Sequence, residues 1–249
     1  SSASDQETYI YSASQLKYIG DLSPFKPDTV KAGAAIKLQA LKIGDASEDY
    51  VNPNLSELTL GNNILLKSLD VRNCINLKQA VDISGCTGIE EVYFDGTQIT
   101  GLRLPNGGNL KTLHLPDTLT NLTIRNQKNL SDLVIQGTRN IQTLWLENIP
   151  SEVIDAKAFI SEMPPGSAIR LIGFEQKVDT IDEISNLYDL LDTMSGINAQ
   201  GEDVPDAQIK GTIYLYDEIS YAEYIAFMKR YVDIQIIPSK IICTVQFMN

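Results

Sequence analysis

An apolar phrase recurs about every eleven residues through the first part of this chain. The pattern L-x-x-L-x-L appears as LSELTL, LKSLDV, IEEVYF, ITGLRL, LTNLTI, LSDLVI and IQTLWL. Self-similarity at a fixed period is the signature of repeat architectures, so this feature limits the fold more than any other. The units begin at Leu55, Leu66, Leu77, Ile89, Ile99, Leu110, Leu119, Leu130 and Ile141.

Each unit predicts one short strand, because an alternation such as Leu113-His114-Leu115 places two side chains inward and one outward. Eleven residues are too few for a strand, a turn and a return path. Two units, about 22 residues, therefore make one full coil with a strand on each side, and neighbouring coils bury each other's leucines. The unit LKQAVDI has one extra residue, which predicts a bulge. The sequence thus predicts a solenoid.

The ninth position of the units is small and polar in most copies. Such residues can hydrogen-bond the backbone of the turn, which has no sheet partner. Gly107 and Ile149 interrupt the series. Because Cys74 and Cys86 occupy this slot on opposite sides of a coil, we expect free buried thiols there, and Cys243 is expected to be unpaired as well. The other members of the series are Asn63, Thr97, Thr118 and Thr138.

The phrase L-x-x-L-x-L with a following Asn, Cys or Thr resembles the leucine-rich repeat family. The short coil, with LRLP and LHLP before the turn, is most similar to the bacterial surface-protein branch of that family, or to phage tail-associated proteins of this type. The resemblance covers residues 35–150 and weakens after them. It implies an α/β leucine-rich-repeat solenoid that is β-rich at first and bears helices on its convex side later. The family is a binding scaffold with varied partners, so no ligand follows from the resemblance.

Three regions are expected along the chain: a flexible lead-in and cap over 1–34, regular repeats over 35–150, and irregular α/β repeats over 151–249. In the last region, capping-box spacings at Thr180 and Ser220 predict helix starts. The polar stretch from Asn198 to Gly211 predicts a long loop. A separate small α/β domain is the alternative for this region. The Ser-rich start without Met and the strand-like ending CTVQFMN lead us to expect a piece of a longer multidomain chain.

Strands at Leu58, Val81, Leu102, Leu122, Leu144, Ile169, Ile213 and Ile234 are expected to share one concave sheet. Trp145 lies between two inward leucines, so it should point outward, and it is the only Trp. Exposed Trp and Arg are enriched at binding hot spots. Coverage of Trp145 by a helix or loop, and an ordinary solvated sheet face, are the alternatives. The candidate binding residues are Asp82, Arg103, Thr123, Trp145, Arg170 and Tyr214, with Arg125, Gln142 and Glu147 among the flanking positions.

The charge and the motifs narrow the function. A net charge of -12 argues against nucleic acid, which needs a Lys/Arg-rich face. No apolar run reaches the length of a membrane-spanning helix, about 18 residues. The only histidine, His114, is at an outward position and is expected to be solvated. We find no catalytic, metal or cofactor motif. Acidic residues between Asp179 and Asp206 do not follow a calcium-loop pattern.

The sequence therefore predicts a non-enzymatic recognition or adhesion module, without cofactor, of a larger bacterial surface or phage tail protein. The partner would be a protein or a glycan bound on the repeat face, at the cell surface, outside the cell or on a virion. The alternative is an architectural spacer or assembly segment of such a protein, with no ligand of its own.

Overall fold

The structure is a computed structural model, and it describes residues 8–10, 20–33, 38–150, 156–180, 182–184, 186, 189, 193–194, 196–197, 203–204, 208–230 and 233–243. Within them the protein is mostly parallel β-sheet with few helices, an α/β class. The helices with described bounds are a 3-10 turn (Ser23–Phe25), α1 (Ala156–Ser161) and α2 (Tyr221–Arg230). The strands are β1 (Thr8–Ile10), β2 (Thr29–Ala32), β3 (Ala40–Lys42), β4 (Glu57–Thr59), β5 (Ser68–Asp70), β6 (Val81–Asp82), β7 (Glu91–Tyr93), β8 (Gly101–Arg103), β9 (Thr112–Leu115), β10 (Asn121–Arg125), β11 (Asp132–Ile135), β12 (Thr143–Glu147), β13 (Ala168–Val178), β14 (Gly196–Ile197), β15 (Asp203–Val204), β16 (Gln208–Ser220) and β17 (Ile234–Ile242).

From β5 to β12, consecutive strands alternate between two parallel sheets, and β3 belongs to the same sheet as β5. The five-stranded sheet has the order β11-β9-β7-β5-β3, and the seven-stranded sheet the order β17-β16-β13-β12-β10-β8-β6. Arg125 and Glu147 are register partners 22 residues apart, which is the length of two units. The chain therefore passes from one sheet to the other once per unit. β14 and β15 form a separate antiparallel pair.

One expected member of the long sheet lies elsewhere. Leu58 is in β4, which pairs with β2 in a three-stranded sheet of order β1-β2-β4. The next strand on this side, β6, has only two residues, because it comes from the unit with the extra residue. Its ladder within the described residues is with β8. The prediction of one sheet from Leu58 to Ile234 is thus wrong at its first strand.

The inward positions of the units form one apolar core, as the repeat predicts. Phe94, Leu113 and Leu144 are each 1% exposed or less. Three of these positions are only partly buried: Leu104, which follows β8, and Leu133 and Ile135 of β11 at the edge of the five-stranded sheet. This core explains the periodicity, since each leucine is covered by the equivalent residues of neighbouring units.

The prediction for the ninth position is also confirmed. Thr97 donates its hydroxyl to the Phe94 carbonyl at 2.7 Å, and Thr118 donates to the Ile99 carbonyl at 2.8 Å. Asn63 donates to the Leu60 carbonyl. The series also includes Gln127, which the sequence analysis passed over. Its buried amide donates to the Pro105 carbonyl at 2.8 Å, so a larger side chain serves the same turn backbone.

A second ladder closes the turns after the strands of the seven-stranded sheet. The amide of Asn148 donates to Asn126 Oδ1 at 2.8 Å, and that of Asn126 donates to Asn106 Oδ1 at 2.7 Å. Asn126 and Asn148 have φ values of 56° and 51°, a conformation that Asn tolerates. The following position is Gly173 (φ 68°), where a Cβ would lie 2.6 Å from Asn148 Oδ1. β13 bulges there and continues instead of turning.

The second half joins the same sheet through a five-residue ladder between β12 and β13. The capping box at Ser220 is confirmed, since the Glu223 amide donates to Ser220 Oγ at 3.2 Å and Glu223 Oε2 accepts from the Ser220 amide at 3.1 Å. The loop expected over Asn198–Gly211 ends earlier, because β16 begins at Gln208. Most of the helix predicted after Thr180 lies outside the described residues, as does the strand predicted after Cys243.

Candidate binding face

Five of the six candidate residues share one row across the seven-stranded sheet. The register pairs Asp82 with Arg103, and Trp145 with Thr123 on one side and Arg170 on the other. Leu102 pairs with Leu122, which brings the two halves of the row together. All five are exposed or half-buried, and each lies between buried neighbours except Arg103, whose neighbour Leu104 is partly buried. The period of two along each strand therefore identifies this face correctly.

Tyr214 does not belong to the row. Its register partners are Lys177 and Ile237, while Arg170 pairs with Gln208. Lys177 lies seven residues beyond Arg170, which is roughly 23 Å along a strand. The prediction was wrong because β16 starts five residues before Ile213, at Gln208, and the bulge at Gly173 further offsets the strands. Tyr214 still points outward, between buried Ile213 and Leu215.

Trp145 is at the centre of the face and is held between two arginines. The guanidinium carbons of Arg125 and Arg170 lie 4.4 and 4.3 Å from the centroid of its ring. Arg125 lies on β10 and Arg170 on β13, the two strands that flank β12. Glu147 Oε2 accepts from Trp145 Nε1 at 3.0 Å and from Arg125 Nε at 2.8 Å. These contacts fix both the indole and Arg125.

The far end of the row carries a looser ion pair. Arg103 Nη1 lies 3.4 Å from Asp82 Oδ2, and the Arg103 side chain is 79% exposed. Hydrogen bonds from Ser84, and then the charge of Arg103, hold the pKa of Asp82 below its usual value. Exposed pairs of this kind contribute little to stability, about 0–1 kcal/mol. Arg103 is therefore available for a contact with another molecule.

The face has no deep ligand pocket at the bulge. A pocket there, lined by Leu146, Leu171 and Phe174, has room for roughly one water molecule. The row of outward side chains instead offers a broad surface across several strands.

The five-stranded sheet carries a different cluster. The guanidinium carbon of Arg72 lies 4.5 Å from the centroid of the Tyr93 ring, and the Tyr93 ring meets His114 edge-on at 5.1 Å. Arg72 Nε donates to Asp70 Oδ1 at 3.0 Å, and this pairing raises the pKa of Arg72. Burial raises the pKa of Tyr93.

His114 is not simply solvated, contrary to the expectation from its outward position. Its Nε2 lies 3.0 Å from Asp132 Oδ2, its Nδ1 lies 3.4 Å from Asp95 Oδ2, and the side chain is 22% exposed. Neighbouring strands bring these carboxylates to the ring, which the sequence spacing alone did not reveal. The contacts make His114 a part of the Tyr93 cluster.

The cysteines are free: Cys74 and Cys86 are buried, as the repeat predicts, and Cys243 is exposed. Burial raises the pKa of the Cys74 thiol to about 12, so the thiol stays protonated and unreactive at neutral pH. Among the described residues, no three His, Cys, Asp or Glu side chains come together to hold a metal ion. No helix in the described part of the chain is long and apolar enough to span a membrane.

The sequence analysis named Arg125 and Glu147 only as flanking positions, although both contact Trp145. The 22-residue register could have identified them. It pairs Arg125 with Glu147 and places Arg125 two residues from Thr123, the register partner of Trp145. Long side chains reach such diagonal neighbours. Most of the long loop that could cover Trp145, residues 198–202 and 205–207, lies outside the described residues.

No family model matches the sequence, and neither a curated protein nor a solved structure matches it.

Proposed function

We propose that this chain is a leucine-rich-repeat solenoid that acts as a non-enzymatic recognition module. Its binding surface is the outer face of the seven-stranded sheet, and its partner is a protein or a glycan. The module belongs to a larger bacterial surface or phage tail protein and works outside the cell, at the cell surface or on the virion. The register of alternating parallel strands at the two-unit period supports the solenoid.

The arrangement of Trp145 carries the functional proposal. A large aromatic ring is kept half-buried on a sheet face, flanked by Arg125 and Arg170 and hydrogen-bonded through Glu147. Trp and Arg dominate the energetics of known interfaces, since they combine apolar area with directed polar contacts. A pre-ordered cluster of this kind loses little side-chain entropy when a partner binds.

The test is a binding screen of the whole chain against a glycan array and against intact bacterial cells. Trp145→Ala should weaken binding by more than about 1 kcal/mol, the size of a hot-spot effect. The matched control is Val134→Ala, which removes a 39% exposed side chain from the outer face of the five-stranded sheet. It should bind as the parent does. Circular dichroism must show that both variants are folded.

An equal loss of binding in Trp145→Ala and Val134→Ala would mean that the Trp145 cluster is not the binding site. If the parent chain binds in neither screen, the alternative function, a spacer or assembly segment, is favoured. One observation supports that alternative: within the described residues, the nine-residue strand β17 pairs only with β16. An unpaired edge can accept a further strand. Light scattering across a range of protein concentrations would detect self-assembly through such an edge.

A further inference from the structure

The last strand of the seven-stranded sheet has one edge without a partner. β17 pairs with β16 on one side, and within the described residues no strand pairs with its other side. At nine residues it is longer than the usual strand of about 5–6. Unpaired N–H and C=O groups along such an edge form a template to which a strand of another chain can add.

The side chains of β17 favour a second copy of this chain as that partner. Five of its nine residues are isoleucine, a β-branched residue that is enriched in strands. Ile237, Ile241 and Ile242 are 39%, 38% and 42% exposed. Segments with high β-propensity and little charge are those that pair with copies of themselves. The β17 strand of a second copy would bring the same isoleucines to the edge.

The backbone of Pro238 faces this open edge. The Gly211 amide donates to the Asp233 carbonyl at 3.2 Å, so the backbone of residue 233 faces β16. Consecutive residues of a strand direct their backbone groups to alternate sides. Odd-numbered residues from 233 to 237 therefore face β16, and even-numbered residues from 234 to 238 face the open edge. Since proline has no N–H, Pro238 leaves the ladder with β16 intact and interrupts the row of donors on the open edge.

Two features beside Pro238 act in the same direction. Lys240 is 63% exposed, and its Nζ donates to Glu218 Oε1 at 2.9 Å. The register with β16 shifts between Leu215 and Glu218, the partners of Pro238 and Lys240, so a bulge lies across from this part of β17. Proline, lysine and bulges are the means by which natural sheets protect their edges from further pairing.

We propose that Pro238, together with Lys240 and the facing bulge, keeps the edge of β17 closed to a second copy of this chain. Pro238 is the fifth of the nine residues, so it divides the edge into two halves of four residues each. Neither half offers a continuous ladder to an approaching strand. The inference is independent of the Trp145 face, and it means that the chain does not assemble through this edge.

The experiment measures the oligomeric state of the full chain by sedimentation velocity over a range of protein concentrations. Pro238→Val restores an N–H on the open edge, and Pro238→Thr restores it with a polar side chain. Gln235→Val is the matched control, because it adds the same valine to the same strand at an exposed position whose N–H faces β16. A reducing agent is present, since Cys243 is exposed and can form disulfides. Circular dichroism identifies the variants that fold.

The parent and Gln235→Val should stay monomeric, whereas Pro238→Val and Pro238→Thr should dimerise. In a two-fold pair each copy regains one hydrogen bond, so the association constant should rise roughly tenfold or more above the parent's upper limit. Hydrogen exchange in the dimer should slow at the amide of Ile236, which faces the open edge. Adding Lys240→Val to Pro238→Val should strengthen association by a further factor of about three, the size of a cross-strand pair effect.

Self-association of the parent with slow exchange at Ile236 would overturn the inference and favour the assembly segment. A folded proline variant that stays monomeric would also overturn it. Equal association of Gln235→Val would show that apolar area, and not the restored N–H, drives pairing, which again contradicts the inference. The screen against glycans and cells tests the proposed function separately, because none of these outcomes depends on Trp145.

Discussion

Two arginine–aromatic clusters lie on the outer faces of different sheets, and they differ in the charged side chains around the aromatic ring. On the seven-stranded sheet, Trp145 is flanked by two guanidinium groups and contacts one carboxylate, Glu147. On the five-stranded sheet, Tyr93 carries one guanidinium, that of Arg72, and Asp70 holds it by two hydrogen bonds. The same stacking contact therefore occurs once with two guanidinium groups on one ring and once with a single guanidinium that a carboxylate holds.

The difference separates a structural use of the contact from a use in recognition. A guanidinium that its own carboxylate already holds has few donors left for a partner, and removing either member leaves a partly buried charge. Asp70 is only 7% exposed, and Asp95 and Asp132 add further negative charge around His114. We therefore expect the Tyr93 cluster to stabilise the fold and the Trp145 cluster to bind.

The largest loss of stability is expected from substitutions in the core, where the two sheets should not differ. Phe94 directly follows Tyr93 and Leu146 directly follows Trp145, and both are buried in the shared core. Phe94→Ala should lower the free energy of unfolding by about 3–5 kcal/mol and Leu146→Ala by about 2–5 kcal/mol, because each leaves a cavity. Urea unfolding followed by circular dichroism measures both. A loss under about 1 kcal/mol for either would mean that the two sheets do not share one well-packed core.

A smaller loss of stability should differ between the two clusters. Asp70→Asn removes the carboxylate from a largely buried pair, so we expect a loss of about 1–3 kcal/mol in unfolding free energy. Glu147→Gln keeps an oxygen that can accept from Trp145 and sits in a more exposed pair, so about 0–1 kcal/mol is expected. The same urea titration measures both, and the reverse order would refute the structural assignment of the Tyr93 cluster.

Local periodicity in the sequence was enough to predict the strands, their inward faces and the ninth-position hydrogen bonds. It succeeded because each unit meets the same packing problem, as Leu113 and Leu144 show on opposite sheets. It also placed five of six candidate residues in one row. These results need only the period of two within a strand and the 22-residue step between neighbours.

Register after residue 150 could not be predicted in the same way. There the units lose their fixed length, so the start of β16 and the bulge at Gly173 depend on tertiary pairing, and Tyr214 was misplaced. The partners of Trp145 and His114 were missed for a related reason. Arg125 and Asp132 reach these rings through side-chain conformations that a one-dimensional pattern does not encode.

The sign of the potential at each cluster can be measured by ionic quenching. Because Arg125 and Arg170 flank Trp145, iodide should quench its emission about twofold more strongly than caesium does at low ionic strength, despite the negative chain. The double variant Tyr93→Trp, Trp145→Phe moves the fluorophore beside Asp70 and should reverse that preference. Higher salt should reduce both differences. An unchanged preference in the double variant would remove the distinction between the two faces.

The smallest effect concerns another neutralised carboxylate, at the start of the strand that carries Tyr93. Glu90 accepts from Lys111 Nζ and Lys67 Nζ at 2.7 Å each, and these bonds hold the pKa of Glu90 at about 2, below its ordinary 4.5. The unfolded chain therefore binds this proton first as pH falls. The contribution of Glu90 to stability is complete above about pH 4.5 and declines as pH drops toward 2.

Glu90→Gln should therefore destabilise the protein slightly at neutral pH, and its difference from the parent should shrink across that acid range. Urea midpoints at a series of pH values measure the change. The control removes the cause: in a background of Lys67→Gln and Lys111→Gln, the carboxylate at position 90 has lost both donors. Glu90→Gln should then have nearly the same small effect at every pH. A pH-dependent difference that survives in this background would show that something other than the two lysines lowers the pKa of Glu90.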